Sequence, residues 1–264
     1  YFCSTYWLDR IFISFFFHLY LDMKFLKIVF FTFILISSSN ANTIFYLIKI
    51  PNLEIYDDTA QNGLKYLKAI KPFQVGIRDN NVSCSNPKKG LLEKKYIMIR
   101  KNLDRYSYDF LEKINFKYVV LCKNLSVGGI EAIGFSNPEM KTILINIGIN
   151  TYDLGRISHH ELFHIINENF KNIFNEIDWK DINEDSFLYS ECSTCSENFG
   201  LDLIENQNGF LSEYSKSTPS EDMAEIFSFL MTRNSKIATI ASSDKVIRKK
   251  INFIKDNIYK IDKN

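Results

Sequence analysis

His159-His160-Glu161-Leu162-Phe163-His164 contains one HExxH pattern, formed by His160, Glu161 and His164. On a helix, residues four apart stand one turn above each other, so the two imidazoles converge on one point with the spacing a Zn²⁺ ion requires. Glu161 sits on the same rim and can take a proton from a water held there. Leu162, Phe163, Ile165 and Ile166 supply an apolar side, so the spacing predicts an amphipathic helix with His160, Glu161 and His164 on its other face. An ordinary amphipathic helix with polar residues in water has the same pattern.

The distribution of histidine favours the metal. The chain has four histidines, and the fourth, His18, lies in a segment expected to be removed. Every histidine of the mature protein then falls within this one stretch. His159 points about 100° away from His160 and is expected to support the site or lie at the surface.

Working outward, the first 41 residues differ from the rest. Met23-Lys24-Phe25-Leu26-Lys27 is a short basic opening, Ile28 to Ile36 is apolar, and Ser37 to Ala41 is small and polar. This order predicts a secretory signal peptide at 23–41, an upstream extension at 1–22 and a mature chain from Asn42. The protein is therefore expected to be secreted or periplasmic. A membrane anchor over Ile11 to Ile36 is the alternative, but His18, Asp22, Lys24 and Lys27 interrupt it, and neither apolar piece reaches about 20 residues. No stable membrane span is expected after processing.

Residues 1–41 take with them three of the 32 basic and two of the 31 acidic residues, which leaves the remainder neutral. A nucleic-acid binder would carry a basic excess. About 220 residues suffice for one sizeable domain, or for a core from 95 to 264 with an N-terminal lobe or extension at 42–94. Cys84, Cys122, Cys192 and Cys195 remain, an even number that suits disulfides in an oxidising compartment, with pairing open. Cys192-Ser193-Thr194-Cys195 also has the spacing of a redox centre or half a structural zinc site; a local disulfide is the simpler reading.

Along the mature chain, Thr43 to Tyr56 reads as two short strands, Asp57 to Ile70 as a short helix, Gln74 to Arg78 as a strand and Asn80 to Gly90 as a loop. Ile99 to Ile114 has helical spacing and Lys117 to Cys122 reads as a buried strand. Ile130 to Phe135 and Thr142 to Ile147 look like a hairpin, whose edge can line a cleft and hold an extended peptide. Lys171 to Gln207 is aromatic and acidic without a clear period. The predicted fold class is α+β: a small twisted mixed sheet packed on the HExxH helix, then a helical C-terminal subdomain ending in an amphipathic helix from Asp244 to Tyr259.

Zinc on two histidines needs a further protein ligand, and with no spare histidine this must be a carboxylate or a cysteine. Thr218-Pro219-Ser220-Glu221 starts a helix well, with threonine as cap and proline at the first position, and that helix is expected to reach about Thr232. Glu221 and Glu225 share one of its faces, so one can bind the metal while the other hydrogen-bonds a ligating histidine. Glu221 capping its helix and Glu225 solvated is the other reading.

HExxH followed by Tyr-x6-Glu-x2-Ala-Glu, here Tyr214, Glu221, Ala224 and Glu225, resembles a gluzincin-like group of zinc-binding metallopeptidases. The group includes the anthrax lethal factor catalytic domain, the Pro-Pro endopeptidases and metallopeptidases of exported bacterial proteins, and the likeness covers about residues 95 to 260. It implies a zincin-like fold, one Zn²⁺ on His160, His164 and Glu221, Glu161 as general base, and Tyr214 as hydrogen-bond donor to the oxyanion. The expected activity is hydrolysis of peptide bonds in a protein or peptide substrate by a zinc-activated water. Two alternatives use the same residues differently: a narrow-specificity toxin or effector-type protease, and a catalytically silent peptide-binding module.

Overall fold

The computed structural model describes residues 52–76, 81–149, 153–190, 192–193, 200–205 and 208–263. The expected signal peptide, the extension before it and the extended segment up to Pro51 lie outside the described residues. Among the described residues, no helix is long and apolar enough to cross a membrane.

β5 (Tyr118–Val127) is the spine of the sheet. It opens Tyr-Val-Val-Leu-Cys, all buried, as a strand covered on both faces requires. This half pairs in parallel with β2 (Lys65–Ala69) on one side and β8 (Thr142–Asn146) on the other. β1 (Leu53–Asp57) closes antiparallel on β2, and β7 (Gly134–Asn137) closes antiparallel on β8. The second half of β5 changes partners, pairing antiparallel with β4 (Val82–Ser85) and β6 (Ile130–Glu131), with β3 (Phe73–Val75) outside β4. The sheet is mixed and curled, and β7 forms one of its edges.

Seven α-helices accompany it among the described residues: α1 (Lys89–Leu103), α2 (Tyr108–Lys113), α3 (Leu154–Asn169), α4 (Glu176–Lys180), α5 (Pro219–Thr232), α6 (Asn234–Ser243) and α7 (Lys245–Lys263). The architecture is α+β with a helical C-terminal region. α3 packs against β7, β8, α1 and, most extensively, α5. That is why it is buried almost all round and not on one side only. Leu162, Phe163, Ile165 and Ile166 are fully enclosed in the core that α3 shares with Ile143 and Ile145 of β8 and with Met223, Ile226 and Phe227 of α5.

Three local expectations are corrected. Asp57 to Ile70 holds a turn and β2, not a helix; Tyr66 and Leu67 are adjacent and both fully buried, so strand alternation is hidden and pairing to β5 decides the conformation. Asn80 to Gly90 contains β4, whose Cys84 forms a disulfide with Cys122 of β5. Ile99 to Ile114 is two helices, because Ser107 accepts a hydrogen bond from the Phe110 amide at 3.2 Å and starts α2. Leu47–Asn264 forms one compact unit, in which β2 and β4 join the sheet built on β5. Of the CxxC pair, Cys195 lies outside the described residues.

Candidate metal centre

The site is built where the middle of α3 meets the first turn of α5. Thr218 caps α5 by accepting from the Glu221 amide at 3.2 Å, Pro219 fills the first turn, and Glu221 is thereby presented at the helix start. Its carboxylate turns to α3: Glu221 Oε2 lies 2.9 Å from His160 Nε2 and 3.2 Å from His164 Nε2. The two Nε2 atoms are 3.1 Å apart. Three donor atoms of the right types thus form a nearly equilateral triangle. Tetrahedral bonds of about 2.0–2.1 Å to zinc imply ligand separations of about 3.3 Å. Two nitrogens and a carboxylate oxygen at these separations fit a single divalent ion, and the three residues form a group able to hold one.

The far nitrogen of each imidazole also has a partner. His160 Nδ1 lies 3.1 Å from Glu225 Oε1, and His164 Nδ1 lies 3.2 Å from Ser220 Oγ, which also accepts from Asn167 at 3.1 Å. Such contacts fix ring orientation and leave Nε2 for the metal. Glu225 is fully buried and is itself held: Arg156 Nη1 donates to Oε1 at 2.7 Å and Ser212 Oγ to Oε2 at 2.7 Å.

Charges in the cluster reinforce one another. Burial by itself lowers the His160 imidazole, but the hydrogen bonds and charges of Glu221 and Glu225 outweigh it and push it up to about 10. Burial raises Glu221, and His164 and His160 outweigh that in turn, bringing it below the ordinary carboxylate range. The cluster is built to hold positive charge between these side chains. Glu161, buried beside them, is pushed up chiefly by its loss of water. Tyr214, on a short 3₁₀ turn (Tyr214–Lys216), reaches Glu221 with its hydroxyl, and burial raises its pKa.

Residues 137–262 match the family described as "Putative zinc-binding metallo-peptidase". That is just under half of the chain, and over it the segment is similar to this family. No curated protein matches the chain. The matched segment contains β8, α3 to α6 and all of α7 but Lys263, and so every donor of the triangle; β7 contributes only its last residue, Asn137.

All six side chains singled out in the sequence, His160, Glu161, His164, Tyr214, Glu221 and Glu225, meet in this one place. Arg156, Ser212 and Ser220 were missed. Arg156 lies four residues before His160, on the same helix face, and that spacing was the available signal. His159 is fully buried, not at the surface. Asn102 donates its amide to Met98 O at 2.9 Å, so its oxygen faces His159 Nε2 at 3.3 Å, and Tyr106 meets Nδ1 at 2.6 Å. His159 therefore carries its proton on Nε2 and joins α3 to α1. Burial, with a smaller contribution from Arg105, lowers its pKa to about 3.

A second polar cluster sits behind Glu221. Asp222 Oδ2 receives Lys250 Nζ at 2.6 Å, Tyr189 Oη at 2.6 Å and Trp179 Nε1 at 2.9 Å, with Asp222 and Lys250 fully buried. It ties the start of α5 to α4 and α7.

Proposed function

We propose that the protein is an exported zinc-dependent metallopeptidase that hydrolyses peptide bonds by general-base attack of water. The observation that carries this is the triangle of His160 Nε2, His164 Nε2 and Glu221 Oε2 with Glu161 and Tyr214 alongside. His160, His164 and Glu221 would hold the ion. Zinc, when bound, activates water and polarises a carbonyl.

Glu161 takes the proton of the attacking water and passes it to the leaving amine. Its buried position, which raises its pKa by loss of water, suits a base that must later act as an acid. Tyr214 remains protonated at any physiological pH and donates its hydroxyl to the oxyanion. Glu225, gripped by Arg156 and Ser212, keeps His160 aimed. Export is supported by the signal-peptide order of residues 23–41 and by the Cys84–Cys122 disulfide, a bond that persists in oxidising compartments.

The test is cleavage of a peptide library and of casein by the purified protein, with and without a zinc chelator. Glu161→Gln is expected to keep zinc and lose cleavage. Zinc-loaded protein that cleaves nothing, or Glu161→Gln that cleaves normally, counts against the reading and favours a peptide-binding role.

A further inference from the structure

We infer that Gly134 of β7 is a positioning residue for Glu161: the strand carries no side chain there so that the carboxylate can rest directly against its backbone. The inference deepens the reading of Glu161 as general base and rests on it. β7 is the strand that pairs with β8 at the sheet edge, with Gly134 opposite Ile145. Glycine weakens a strand unless something needs the space. The backbone does not need it, since the dihedrals of Gly134 are not left-handed. Nor does the strand avoid bulk generally, because Ile133 and Phe135 flank the glycine.

The space belongs to Glu161. A Cβ on Gly134 would collide with Oε1 of Glu161 and stand 2.6 Å from its Cγ and 2.7 Å from its Cδ. No other residue lies so close to that position. The α3 backbone cannot yield, since Leu162 and Phe163, next along it, are fully enclosed in the core. The side chain that must move is Glu161 itself. β7 thus acts as a wall that aims the carboxylate.

A double-substitution cycle tests this. Gly134→Ala is made in the natural background and with Glu161→Ala, and melting temperature, zinc content, kcat and KM are measured. With Glu161 present, Gly134→Ala is expected to lower the melting temperature by about 4 °C or more. With Glu161→Ala it should have little effect, because the colliding atoms are gone. On peptide substrates Gly134→Ala should cut kcat about tenfold to a hundredfold with KM and zinc content held, as expected for a displaced reacting group.

An equal loss of melting temperature in both backgrounds overturns the inference, as does an unchanged kcat. The stability coupling is read without catalysis. If it appears while the unsubstituted protein cleaves nothing, the close fit stands and the peptidase reading is what has failed.

Discussion

Arg156 Nη1 lies 2.7 Å from Glu225 Oε1, and that same oxygen lies 3.1 Å from His160 Nδ1. A buried guanidinium is therefore one carboxylate away from a candidate metal ligand. Replacing Arg156 with Met leaves Glu225 without its ion partner and free to tilt, so zinc affinity is expected to fall about 10- to 100-fold. Arg156→Lys should recover only part of this, since a lysine lacks the planar fork. Competition with a chromogenic chelator measures both; unaltered affinity in Arg156→Met would remove Arg156 from the site.

The oxyanion role proposed for Tyr214 rests on position alone. Tyr214→Phe keeps the ring and loses the donor, so kcat should fall about 10²- to 10³-fold while zinc content is retained. A drop of less than threefold would assign the hydroxyl to packing around Glu221.

His159 makes stability depend on acid. Its folded pKa is about 3, against an ordinary value of 6.5, so below 6.5 the unfolded chain takes up a proton that the folded chain refuses. Stability is whole above 6.5 and is lost as pH falls, by up to about 1.4 kcal/mol per unit. In metal-free protein His160, with its pKa near 10, is protonated in both states between pH 4.5 and 6.5, and Glu161 and Asp222, raised by burial, act in the opposite direction, so the His159 share is the part of the slope that His159→Gln removes. Denaturant titrations across that window should show the slope, and His159→Gln should flatten it.

Lys250 and Asp222 form a fully buried ion pair. Lys250→Met leaves the carboxylate uncompensated and should cost about 3–5 kcal/mol, whereas joining it with Asp222→Asn should recover much of the loss. Urea unfolding of the two variants decides between this and a merely spatial role for the lysine.

The candidate metal-binding pattern was legible because it is local. His160, Glu161 and His164 lie within one turn, and Thr218-Pro219 marks a helix start wherever it occurs. The same holds for β8, with its apolar run, and for α7, with its apolar residues at helical spacing. β4 was hidden because a four-residue polar strand is set by its partner, here Val127, Ser126 and Lys123 of β5. β2 was hidden because two adjacent buried residues mimic a helix turn.

By itself, the sequence determined which atoms were available to a metal and at what spacing along each helix, since helical period converts residue numbers into directions. Only the tertiary structure decided which atoms meet. Glu225 and Arg156 are 69 residues apart, Tyr106 and His159 are 53 apart, and Gly134 reaches Glu161 from a different element. Such contacts follow from how α3 packs between the sheet, α1 and α5, and packing between distant segments leaves no periodic trace in either of them.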